Sequence, residues 1–331
     1  MNYVIVPYNV VDRDAYASLL TACPSATVFH SLDWMRIYEL LSGKSSQFLV
    51  CAQDGETLAA AMPVTVFEKF GAKAIFSSGF GVYGGPIARS ECPPDVIPEM
   101  LKRFTAHFLG PRTVLCSVQD FHGVCDILQR KGFRLLRAVT HMMKIPDRYE
   151  DLEKGTKSTV KYRVRRAAKA GIEIFRTTTA ADFERWQLLC SANYRAHARR
   201  PYSYALYRAV AQRIQETDTL RFYVAKLNDR VVGGAVCVFA LKQAFYWMSA
   251  TDPAFPNYGI NDAVFHVVFQ DAINEDLKQF DFGTSPIGAQ GLMRFKEKWG
   301  GVERDYAYYH YANSIGRVGT NLTRYGRLSW S

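Results

Sequence analysis

Apolar positions recur along this chain in two rhythms, every third or fourth residue and every second residue, and their alternation predicts its elements. Helical spacing over 33–41, after a cap-type Ser31, is followed by a strand at 48–52. Asp54-Gly55 is a turn signal leading into a second strand at 58–67, and a third at 74–78 ends in a glycine-rich loop. Then come a helix at 94–108 with prolines in its first turns, a strand at 113–119, a short helix at 124–131 and an extended stretch at 133–145. The apolar residues 1–11 carry no basic leader and no small-residue cleavage site, so they predict a first strand rather than a signal peptide.

The remainder repeats that order. Helices at 183–198 and 204–215 precede strands at 222–227, 231–241 and 244–251, with Asn228-Asp229 as the first turn. A proline-containing loop at 252–258 leads to a helix at 260–274, a strand at 279–282, a helix at 292–299 and a strand at 305–312. Each half therefore reads helix, three antiparallel strands, helix, strand, helix, strand. This order predicts an α/β protein with mixed sheets and two related domains, 1–150 and 151–331. The boundary falls near 146–155, where a proline and charges break the pattern. A cleft between or beside two such domains is a common position for a ligand site.

Composition supports two cores, since 331 residues is long for one. The apolar stretch 231–241 of the second half is far too short to span a bilayer. Seven cysteines are scattered singly at 23, 51, 92, 116, 125, 190 and 237, which predicts reduced thiols in a cytoplasmic protein. The net charge of +10 is unevenly placed. Residues 1–150 hold 15 Lys/Arg against 14 Asp/Glu, whereas 151–200 alone hold 12 against 5. An excess concentrated in one segment suits a polyanion, whether a phosphate-bearing donor, tRNA or an anionic membrane face; the plainer reading is a solvated basic helix.

Several motifs are excluded by their context. Gly79-Phe80-Gly81-Val82-Tyr83-Gly84 satisfies the dinucleotide pattern, but Gly85-Pro86 follows and the next helix signal is about ten residues away, so no helix N-terminus is offered to a pyrophosphate. His122 and Cys125 lack further metal ligands nearby, and no nucleophile elbow is present. The stretch 158–171 is more informative. It opens on Ser158 and Thr159, ends at Gly171, and places Tyr162, Arg165, Arg166 and Lys169 on one helical face with Arg163 beside them. Near the end of the chain, Phe280-Asp281-Phe282-Gly283 reads as a buried strand and is followed by the stretch 291–301. Amide formation needs an amine held against the acyl carbonyl, a route for its proton, and positive charge for the oxyanion. Lys296 could supply that charge and Asp281 could accept a proton; the plainer readings are a turn-capping aspartate and an exposed lysine.

The meander feeding a helix, a strand and another helix is the layout of the GNAT acyltransferase fold. With the basic helix 158–170, the F-D-F-G strand and the Gly291-Leu292-Met293-Arg294-Phe295-Lys296 stretch, the chain resembles the FemABX family of aminoacyl-tRNA-dependent peptidyltransferases. Trp34 and the Tyr83-Gly84-Gly85-Pro86 loop are similar to weaker landmarks of that family's first domain. The resemblance implies two tandem GNAT-like domains that add amino acids from charged tRNA to an amine of a peptidoglycan-type precursor. It implies Lys296 with Phe295 at the donor ester, and phosphate contacts from Arg195 and Arg199 besides Arg163, Arg165, Arg166 and Lys169. It also implies a substrate cleft holding Trp34, Tyr83 and Gly84, with Arg36 approximating a basic residue expected after the tryptophan.

These residues lead to an aminoacyltransferase using aminoacyl-tRNA as co-substrate, with no metal or resident cofactor and no DNA partner. The expected partners are tRNA, an amine-bearing envelope precursor or peptide, and an anionic membrane touched peripherally at its inner face. Two alternatives stand. One is an acyl-CoA-dependent N-acyltransferase, although Asp262 and the lone Gly259 before the helix at 260–274 oppose a CoA pyrophosphate there. The other is a non-catalytic RNA- or membrane-binding protein. The run 316–331, with Arg317, Arg324 and Arg327, reads as a basic tail or a segment docked on the body.

Overall fold

Tight two-residue turns with left-handed backbone shape both meanders. Phe70-Gly71, Asn228-Asp229 and Leu241-Lys242 all have positive φ, which matches the right-handed twist of the strands they join. The computed structural model describes residues 1–41, 45–79, 82–197, 200–255, 258–285 and 289–314. The first repeat runs β1 (Asn2–Pro7), α1 (Arg13–Ala22), α2 (Leu32–Glu39), β2 (Ser45–Asp54), β3 (Thr57–Lys69), β4 (Ala72–Phe76), the two-residue β5 (Ile87–Ala88), α3 (Val96–Phe108), β6 (Thr113–Asp120), a 3-10 turn at Asp126–Lys131 and β7 (Arg134–Lys144). Two connecting helices follow, α4 (Tyr149–Gly155) and α5 (Ser158–Lys169). The second repeat runs β8 (Ile172–Thr177), α6 (Ala180–Ala196), α7 (Tyr204–Glu216), β9 (Leu220–Leu227), β10 (Arg230–Ala240), β11 (Gln243–Thr251), α8 (Ile260–Asn274), β12 (Gln279–Ser285), α9 (Gln290–Glu297) and β13 (Val302–Ala312).

The chain divides into two compact units, 1–139 with 305–331, and 140–304. In the first, β1, β2, β3 and β4 form an antiparallel run, β4 and β6 are parallel, and β13 lies antiparallel to β6 from Ala307 opposite Asp120 to Ala312 opposite Leu115. In the second, β8 to β11 are antiparallel neighbours and β11 runs parallel to β12 from Gln243 opposite Gln279 to Phe245 opposite Asp281. The strand at 305–312, which the sequence order gives to the second repeat, thus completes the first unit. Strand order along the chain carries no information on which sheet a last strand joins.

Each core lies between a sheet and the helix after its meander. α3 buries Met100, Leu101 and Phe104 over Met62, Ile75 and Val118. α8 buries Val264, Phe265 and Phe269 over Val232, Ala244 and Phe280. Full burial of such side chains is worth about 1.5–3 kcal/mol each. Four elements escaped the apolar pattern: α1, the two-residue β5, α4 and β8. α1 carries its start signal in Asp12, whose carboxylate accepts from Asp14 N and Ala15 N at 2.9 and 3.0 Å. The 124–131 helix is a 3-10 turn, and the first hairpin turns on Gly55-Glu56 rather than Asp54-Gly55. Burial raises the thiol pKa values, to about 11 at Cys23 and Cys190, so these sulfurs are poor nucleophiles.

Candidate active site

β12 alternates its side chains as a buried strand does. Phe280 and Phe282 enter the aromatic cluster of α8, with ring centroids 4.5 Å from Phe269 and 5.5 Å from Phe265 respectively, and Trp299 packs on the same rings. Asp281, between them, faces the opposite side. Its Oδ1 accepts from Thr140 Oγ1 at 2.8 Å and from Gly283 N at 2.7 Å. Gly283 has φ +76, a conformation that an L side chain rarely adopts. Its carbonyl accepts from Lys296 Nζ, reaching in from the last turn of α9.

Lys296 is 2% exposed. Burial lowers its pKa to about 8, against a smaller upward pull from the Asp281 charge. Its neighbour Phe295 packs on Phe265 at 5.3 Å, which fixes the register of α9 on the core. Two residues on, Lys298 turns to the start of α8, with Nζ 2.6 and 2.8 Å from the two oxygens of Asp262. Trp299 Nε1 donates to Asp262 Oδ1 at 3.1 Å, and an Arg163 nitrogen lies 3.5 Å from Oδ2. Asp262 is 1% exposed, so the first turn of α8 already holds a buried carboxylate with three donors around it. Just before it, Gly259 has φ +74, and a Cβ there would sit 2.6 Å from the Arg163 carbonyl. The backbone of α5 therefore closes on the α8 N-terminus.

α5 turns Val160 and Ala167 to the core, which leaves Tyr162, Arg163, Arg165, Arg166 and Lys169 exposed. Its N-cap is Lys157, with no side-chain cap bond, so Ser158 and Thr159 lie inside the first turn rather than capping it. Gly171 takes the expected left-handed position after the helix. Arg195 is exposed in the last turn of α6; Arg199, the tail 316–331 and parts of the loops at 79–84 and 252–258 lie outside the described residues.

The first-unit candidates form a separate cluster. Trp34 and Tyr83 are each 1% exposed. Trp34 Nε1 donates to Tyr38 Oη at 3.1 Å, Phe29 sits edge-on to both Trp34 and Tyr83, and Tyr83 stacks on Phe121 at 4.8 Å. Arg36 points out from α2. A Cβ at Gly84 would meet Ser78 Cβ at 2.9 Å, and one at Gly85 would overlap the Gln119 carbonyl at 2.0 Å, so both glycines are required by close approach. His30, which the sequence did not single out, staples this loop: Nε2 donates to the Gly85 carbonyl at 2.8 Å and Nδ1 accepts from Thr27 N at 3.0 Å.

Burial lowers the His30 pKa to about 4, so the unfolded chain binds a proton there more readily than the folded one. The stability this neutral ring contributes is complete above about pH 6.5 and is lost as pH falls toward 4. Unfolding in urea at pH 7.5 and pH 5 should show a fall that His30→Gln reduces by about 2 kcal/mol. An unchanged pH slope in that variant would contradict this assignment.

Residues 154–297 match the family model described as an acetyltransferase (GNAT) domain. FemX has the same architecture, with a TM-score of 0.71 and 12% identity over 99% of this chain and 100% of that one. This is the FemX-type tandem GNAT fold. L-PGS from Bacillus licheniformis shares it at a TM-score of 0.58 and 14% identity, over 96% of this chain and 98% of the other. A tandem GNAT protein from the clavulanic acid biosynthesis pathway does so at 0.56 and 10%, over 94% and 98%. No curated protein sequence matches this chain. With its GNAT domain the chain is an acyltransferase. The two units are chemically unequal: among the described residues both buried lysines, Lys296 and Lys298, belong to the second, as does the whole family-model match. Among the described residues no helix is long and apolar enough to cross a membrane, and no three His, Cys, Asp or Glu side chains are placed to hold a metal ion.

Proposed function

We propose that this chain is an amide-forming aminoacyltransferase that takes its acyl group from aminoacyl-tRNA and gives it to an amine of an envelope precursor or peptide. The observation that carries this reading is the start of α8. A CoA donor in a GNAT domain lays its pyrophosphate on the backbone N–H groups at the start of the helix after the third strand, a position that favours negative charge. Here the Arg163 carbonyl lies against Gly259, and Asp262 brings its own negative charge to the first turn. A phosphate would have to displace a buried carboxylate from Lys298, Trp299 and Arg163. Phosphate-binding cations are instead exposed on α5, as Arg165, Arg166 and Lys169.

In this reading the acceptor amine attacks the ester carbonyl directly. The Lys296 ammonium, held by the Gly283 carbonyl, stabilises the oxyanion, and Arg195 and Arg199 are assigned to donor phosphates. Trp34, Arg36, Tyr83, Gly84 and Phe295 are the residues assigned to the acceptor side and the donor end. The acyl-CoA reading is favoured by the acetyltransferase description of the matching domain. Binding of charged tRNA and of acetyl-CoA over a salt series separates the two. Salt-sensitive tRNA binding without CoA binding supports the aminoacyl-tRNA donor. Saturable CoA binding without tRNA binding overturns it.

A further inference from the structure

The turn between β3 and β4 carries an unusual residue for its backbone. Its two positions have φ +51 and φ +79, a geometry that suits Asn-Gly or Gly-Gly because a bulky side chain is strained there. This chain puts Phe70 in the first of them, and the side chain is 97% exposed. Leu241, in a turn of similar φ, is half-buried. Among the described residues the next most exposed large hydrophobics, Leu188 and Val302, stand at 69%. Strain and exposure to water therefore both act against phenylalanine at this position. An exposed aromatic held in strained backbone points to a use outside the fold.

The turn is also braced. Arg112, at the entry to β6, donates through Nε to the Gly71 carbonyl at 2.7 Å and pairs with the Glu68 carboxylate. Lys73 N donates to the Arg112 carbonyl at 2.7 Å, so the base of the turn is tied to the next strand. Cations surround the ring: Lys69, whose Nζ lies 5.7 Å from the ring centroid, Lys73 and Arg112. Glu68, already paired, is the one acidic residue within 68–73 and 107–113. β13 finishes at the same end of the sheet. Asn313 N donates to Val114 O at 3.2 Å, next to Thr113, which lies opposite Lys73. The sequence beyond adds Arg317, Arg324 and Arg327.

We propose that this turn is a membrane-contact point, where Phe70 enters an anionic lipid surface and Lys69 and Lys73 meet its headgroups. A lipid surface offers both things the turn matches, an apolar layer for the ring and a negative layer above it for the cations. Lysine stems lie along the apolar boundary while their ammonium groups stay at headgroup level. An apolar groove on another protein would take the ring but has no use for the positive charge around it. Single-stranded nucleic acid would meet the cations, but its sites are grooves lined by several rings, and here one ring stands alone on a tip. One aromatic side chain and a few cations give weak, reversible attachment, suited to an enzyme that visits a membrane. The inference holds whichever donor the enzyme uses.

Sedimentation of the full chain with vesicles tests this, comparing phosphatidylcholine alone with phosphatidylcholine containing phosphatidylglycerol. The wild type should bind the anionic vesicles only, and less well as salt is raised. Phe70→Gly should weaken that binding about tenfold. Because glycine suits φ +51, the same variant should unfold in urea at an unchanged or higher midpoint. Lys69→Glu with Lys73→Glu should weaken vesicle binding by at least about tenfold. In Phe70→Trp, brominated lipids should quench tryptophan fluorescence more strongly than in the wild type. No binding of the wild type to anionic vesicles, or equal binding by Phe70→Gly, overturns the proposal. A lower unfolding midpoint in Phe70→Gly also counts against it, since the ring would then serve the fold. Variants that keep vesicle binding but lose binding of charged tRNA would give the turn to nucleic acid instead.

Discussion

Lys296→Met should lower the transfer rate about 100- to 1,000-fold while leaving donor affinity within about threefold, as expected for a group that acts on charge developing in the transition state. The argument rests on placement. A lysine that is 2% exposed and tethered to a backbone carbonyl has little freedom to reorganise when an oxyanion forms beside it. Its charge is also conditional. Because burial brings the pKa down to about 8, the ammonium is the main form at pH 7 and is lost as pH rises through 8. The rate should therefore fall on the alkaline side with a midpoint near 8. Lys296→Arg, which keeps its charge at any accessible pH, should abolish that fall even where it slows the reaction. A Lys296→Met enzyme with full kcat would remove the lysine from the chemistry.

The double charge reversal Arg165→Glu with Arg166→Glu should weaken tRNA binding about 100-fold at 0.1 M salt and flatten its salt dependence by about two units of log–log slope. Both side chains are exposed on α5, away from Val160 and Ala167, so the variant should fold normally. The expected effect lies in affinity and leaves the rate at saturation largely unchanged, the reverse of the Lys296 result. Tight, salt-sensitive tRNA binding by the variant would move the donor site elsewhere. Loss of acetyl-CoA binding instead would assign the helix to the other donor.

How far the sequence could be read follows from the range of each interaction. The meanders, α3, α8 and the basic face of α5 declare themselves in local spacing, because a turn or a helical stripe is a property of a few consecutive residues. α1 and β8 were missed because their apolar positions are few: α1 buries Tyr16, Leu19 and Leu20, and β8 buries little beyond Ile172. Asp281 and Lys296 were visible as residue types in a suggestive stretch. The burial that lowers the Lys296 pKa was not, since it depends on residues that the chain brings in from afar. The closure of the α8 N-terminus was half legible: Asp262 could be read directly, whereas the approach of the Arg163 carbonyl to Gly259 needed the packing of α5 on α8.

The placement of β13 has a consequence for how the chain acquires its structure. β6 ends at residue 120, and the strand that pairs with it begins that pairing at Ala307, so nearly the whole second repeat must be synthesised before the first unit has all its strands. Contacts of such sequence separation are slow to form, because the loop they close must be ordered first. During synthesis the N-terminal unit waits with an open sheet edge, the state in which strands pair wrongly or aggregate. The chain is therefore two units in architecture, and the sheet of the first is complete only once the second repeat has been made.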